Sequence, residues 1–87
     1  MEITTKSGFT CEIDPEALQS MELVDALAEL EAGNALAISR ACLLILGKAN
    51  RTKLYANLRN EKGLVPPDAV DRELTEIMQA LGKPAKN

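Results

Sequence analysis

The twelve residues from Ala35 to Leu46 carry only two polar side chains, Ser39 and Arg40, and no other segment limits the fold as strongly. A helix that is apolar nearly all round is either buried centrally or shared with a partner. At about 100° per residue, Ile38, Ala41, Cys42 and Ile45 share one face, with Ala37 and Leu44 beside them. Leu36, Leu43 and Leu46 project on the other side, among Ser39 and Arg40, where a helix with a single core face would carry charge. Two accounts fit this pattern. Either the three leucines form a second contact surface, or the chain's own hairpin and C-terminal helix cover both faces. Self-association would satisfy both. Leu36, Leu43 and Leu46 are the candidate partner-binding residues.

The flanking sequence supplies the other layers. Residues 2–13 alternate, with Ile3, Thr5, Phe9, Cys11 and Ile13 on one side and Glu2, Thr4, Thr10 and Glu12 on the other, the period of half-buried strands. Lys6-Ser7-Gly8 can supply the turn of a β-hairpin. Asp14-Pro15 opens a helical region over about 15–32, in which Ser20 offers a second cap and the first turns form a separate piece. Leu23, Val24, Leu27 and Leu30 share one face of it, and Glu22, Asp25, Glu29 and Glu31 lie mostly outside that face. Gly33-Asn34 ends this helix and caps the next, at 35–46. Gly47 stops that one, and a more polar helix follows at about 50–60, with Leu54, Tyr55 and Leu58 facing in. Val65-Pro66-Pro67 forces an extended link. Val70, Leu74, Ile77, Met78 and Leu81 then mark an amphipathic helix at 67–81. The expected fold is α+β, mainly α: a single domain over 1–82 with an N-terminal hairpin, four or five short helices in a compact bundle, and a flexible tail at 83–87.

An 87-residue chain buries a modest share of its surface, so stability is marginal and a partner would add to it. Phe9 and Tyr55 are the only aromatics, which leaves Ala, Leu, Ile and Val to fill the core.

Nothing in the chain supports catalysis. It has no histidine, the commonest general base and metal ligand. Cys11 and Cys42 lack any zinc-site spacing and read as small buried hydrophobes. No phosphate-cradling glycine loop occurs. Glu29/Glu31 and Glu73/Glu76 read as solvated helix faces rather than acid–base pairs. No metal or cofactor is expected. The net charge of −3 argues against nucleic acid, although Lys48, Arg51, Lys53, Arg59 and Lys62 cluster around the fourth helix, where a helix-turn-helix is conceivable within 35–60. No apolar run reaches a membrane span, and the N-terminus does not read as a signal peptide, so the expected location is the cytoplasm.

The run KLYANLRNEKGLVPPDAVDRELTEIMQALG (residues 53–82) resembles the small tail assembly chaperones of long-tailed bacteriophages, particularly those of Gram-positive hosts. So does the order before it: a strand pair, FTCEIDPEAL, then MELVDALAELEAGNALAISRACLLILG. The resemblance spans most of the chain and rests on a helix pattern with Gly and Pro punctuation. It implies a protein of the infected cell's cytoplasm, without ATPase activity, that binds the tape measure protein, helps recruit tail tube subunits, and is absent from the finished virion. It also implies that a longer frameshifted product is common in such families; Ala85-Lys86-Asn87 is a combination that an adenine-rich slippery run can encode. A small helical DNA-binding regulator and a structural tail or head–tail subunit are the alternatives.

Overall fold

The computed structural model describes residues 1–82, and the tail expected at 83–87 lies outside the described residues. Strand β1 (Glu2–Thr4) pairs antiparallel with β2 (Thr10–Glu12), in the register Glu2 with Glu12, Ile3 with Cys11 and Thr4 with Thr10. This is the hairpin that the alternation predicts. Ile3, Thr5, Phe9, Cys11 and Ile13 are all buried. The reversal is closed by Thr5 N–H to the Phe9 carbonyl (2.8 Å) and Gly8 N–H to the Thr5 carbonyl (3.0 Å). Gly8 takes a φ of 91°, which glycine reaches without a Cβ penalty.

Pro15–Leu18 forms only a 3-10 turn, with the Asp14 carboxylate accepting from Glu16 N–H at 2.9 Å. Helix α1 (Met21–Glu31) starts afresh at Ser20, whose hydroxyl accepts from Leu23 N–H. It ends in a Schellman motif: Asn34 N–H reaches the Glu29 carbonyl (2.9 Å) and Gly33 N–H the Leu30 carbonyl (3.0 Å). Asn34 then turns the chain into α2 (Ala37–Leu58) by accepting from Leu36 N–H at 3.2 Å. Helix α3 (Pro67–Gly82) completes the fold.

The α-helices therefore number three, and the expectation of four or five short helices is corrected. Two segments account for the difference. Residues 15–20 never become α-helix, because two caps within six residues leave room for one tight turn only. The helices expected at 35–46 and 50–60 belong to one element, Ala37–Leu58, interrupted at a single residue, Gly47 (φ 79°, ψ 166°), with no loop between its arms. The class, α+β and mainly α, stands.

The bend at Gly47 brings the arms of α2 together. The Arg51 guanidinium donates to the Ser39 carbonyl and hydroxyl, each at 3.4 Å. Twelve residues of straight helix would separate these positions by about 18 Å. The second arm also holds the hairpin: Asn50 donates to the Glu12 carbonyl at 3.0 Å and Asn57 to the Ser7 hydroxyl at 3.3 Å. Lys6 N–H reaches the Glu76 carboxylate of α3 at 2.9 Å, closing the hairpin turn onto the last helix. One core joins all elements, centred on Leu23, Cys42, Leu54, Leu74 and Ile77.

Gly47 occupies backbone space that is essentially glycine-only, with nothing near the position of an added Cβ. Gly47→Ala should therefore lower stability by about 1–3 kcal/mol through backbone strain alone. Denaturant unfolding measures it, and an unchanged midpoint would mean that the bend carries no strain.

Candidate functional site

The three leucines singled out by the helical projection do not stay together. Leu36 precedes α2 and is 86% exposed, and Leu43 is 39% exposed one face-repeat later, with Ser39 and Arg40 exposed between them. Leu46 is 6% exposed and belongs to the core. That part of the assignment is corrected. Leu46 stands one turn from the buried Cys42, and the bend that follows brings the second arm against the first, with Asn50 donating to the Leu46 carbonyl at 3.1 Å. A straight projection of residues 35–46 could not register that fold-back. On the opposite side Ala41, Cys42 and Ile45 are buried as the periodicity indicates, with Ala37 beside them, whereas Ile38 and Leu44 are only half-buried.

A second apolar feature went unrecognised in the sequence. Helices α1 and α3 flank an open groove formed by two adjoining cavities of about 420 and 550 Å³ that share Leu30 and Asp71. Val24, Leu27, Leu30, Ile38 and Met78 supply its apolar lining. Leu27 and Leu30 read as one core face of α1, yet the fully buried line of that helix is Leu23 and Ala26. Val24 is 48% exposed, and Leu27 and Leu30 are only half-buried. The one signal available was the width of the stripe, since Leu23, Val24, Ala26, Leu27 and Leu30 cover more of a helix than one neighbour can bury.

The basic cluster is partly engaged inside the fold. Arg51 bonds to Ser39 and lies over the Tyr55 ring at 5.9 Å, and Arg59 donates to the Gly63 carbonyl at 2.7 Å. The acidic pairs separate in character. Glu29 meets Arg40 at 3.8 Å on the surface. Glu76 accepts from the Lys6 backbone, and Glu73 is 7% exposed with Oε1 unpartnered, so the expectation of a solvated face fails at Glu73. Glu73 lies one turn from both Val70 and Ile77 and so falls within the buried face of α3.

Cys11 and Cys42 are buried free thiols. Burial pushes the Cys42 thiol up to about 11, against the opposing pull of the Arg51 guanidinium. Burial also raises the Cys11 thiol, helped by the Glu12 carboxylate and opposed by Lys53. The thiolate is the nucleophile, so neither group is prepared for attack. Among the described residues no group of three or more His, Cys, Asp or Glu side chains is placed to hold a metal ion, and no helix is long and apolar enough to cross a membrane.

Two outcomes follow. Replacing Glu73 by Met removes an unsatisfied buried carboxylate oxygen and should raise stability by about 1–3 kcal/mol, read as a higher denaturation midpoint; a fall would mean that the carboxylate has a partner. The Cys42 thiol should resist a thiol reagent at pH 8 until the chain unfolds. Because its folded value lies above its ordinary 9.0, the native state should lose stability as pH rises from about 9 to about 11. Fast native labelling at pH 8, or a flat stability profile across that window, would contradict the burial.

Compared with protein families, curated proteins and solved structures, this chain has no match.

Proposed function

We propose that this protein is a non-catalytic tail assembly chaperone of a long-tailed bacteriophage. It binds helices of the tape measure protein in the cytoplasm of the infected cell, helps bring tail tube subunits to it, and departs before the virion is complete. The observation that carries this reading is apolar surface left uncovered after folding. Leu36 and Leu43 stand in solvent on the outer side of α2, and Val24 and Leu27 open into the groove between α1 and α3. Amphipathic client helices are recognised by laying their apolar face against such surface. Each leucine covered by a partner contributes about 1.5–3 kcal/mol before the costs of association.

Other features support the same reading. The chain lacks histidine and its cysteines are unreactive, so binding is left as the work it is equipped for. The net charge of −3 keeps a complex with a greasy client dispersed. The duplex-DNA alternative has less to draw on, because Arg51 and Arg59 bond within the fold and the arms of α2 meet at one residue rather than across the three- or four-residue turn of a helix-turn-helix.

Co-expression with the tape measure protein of the same phage tests the proposal. The two should co-purify, the client should precipitate when made alone, and the chaperone should be missing from purified virions by mass spectrometry. Leu36→Ser with Leu43→Ser, both at exposed positions, should leave the circular dichroism spectrum unchanged and weaken client retention about tenfold or more. A client that is soluble alone and never co-purifies, or a chain retained in virions, would overturn the reading.

A further inference from the structure

We propose that the groove between α1 and α3 is a docking site for one amphipathic helix whose apolar stripe is flanked by lysine or arginine. The inference rests on the proposed function only for the helical nature of the partner. The groove runs along α1 from Val24 to Glu31, about 10 Å or two turns, and continues to Gly33 just past the helix end. Its lining of Val24, Leu27, Leu30, Ile38 and Met78 meets the spacing of a helical stripe.

The charge of the rim selects the occupant. Glu31, Asp68 and Asp71 line the cavities, and among the described residues no lysine or arginine does. Asp68 is partly offset by Arg72 at 3.5 Å and by its place in the first turn of α3. Glu31 and Asp71 both line the wider cavity, and neither has an ion-pair partner among the described residues. A second copy of this chain would bring a like-charged rim and a net charge of −3 against the first, so a basic-flanked helix of another protein fits better. The face of Leu36 and Leu43 is a separate surface, since neither residue lines the groove.

The test uses the full chain and two synthetic peptides of about 18 residues, long enough to form helix. Both carry leucines at i, i+3, i+4 and i+7; one has lysine and the other glutamate at the flanking positions. Binding is followed by calorimetry and by amide NMR shifts. The lysine peptide should bind at least about tenfold tighter at low salt, shift residues 24–31 and 71–78, and lose much of that advantage at high ionic strength. The E31K/D71K double variant, altered at two exposed positions, should reverse the preference, while L36S/L43S should leave it intact. Equal affinities, an unchanged preference in E31K/D71K, shifts confined to Leu36 and Leu43, or dimerisation of the free chain through the groove would each overturn the assignment. Tape measure capture that survives E31K/D71K but fails in L36S/L43S would overturn the groove alone and leave the proposed function standing.

Discussion

The bend in α2 at Gly47 is the constraint on which the other contacts depend. A straight helix of that length would be a rod of about 33 Å, too long to serve one small core. Bent, its first arm supplies Ala41, Cys42 and Ile45 to the core and meets α1 through Arg40, while its second arm supplies Leu54 and carries the hairpin on Asn50 and Asn57. The Arg51–Ser39 bonds hold the arms at their angle. One residue in left-handed backbone space thus decides which side chains of the most apolar segment meet the core and which meet water.

The shape explains why some of that segment stays wet. The molecule is 19 Å across its thinnest direction, space for about two layers of helix. Helices α1 and α3 both pack on α2 and the hairpin is bonded to its second arm, yet Leu36 and Leu43 are left exposed. The groove has the same origin. Helices α1 and α3 each pack on α2 and scarcely touch one another, so the cleft between them keeps its apolar walls open. Exposed surface of this kind is ordinarily reserved for partners.

Much of this was legible in the residues. Strict alternation over 2–13 gave the hairpin and its inward face, because a period of two admits only one assignment of sides once a core exists. The stripe of α3 and the Ser20 and Asn34 caps were equally plain. The helix count was not, because it hinges on whether Gly47 opens a loop or a bend, and glycine permits both. Leu46 escaped for the same reason: its burial comes from a fold-back beyond the window of a helical projection. The burial of Glu73 reflects a covered face of α3 wider than its apolar stripe, and packing against distant parts of the chain sets that width. The groove depends on the spacing of two helices that are distant in sequence, which no local pattern encodes.

The bond from the hairpin turn to Glu76 joins two parts of the chain that lie 70 positions apart. On the ribosome, that bond cannot form until α3 has been synthesised, an interval on the order of several seconds. Throughout that delay the turn lacks its anchor to the last helix, and Asn57 of the second arm of α2, made earlier, is the residue placed to hold it through Ser7.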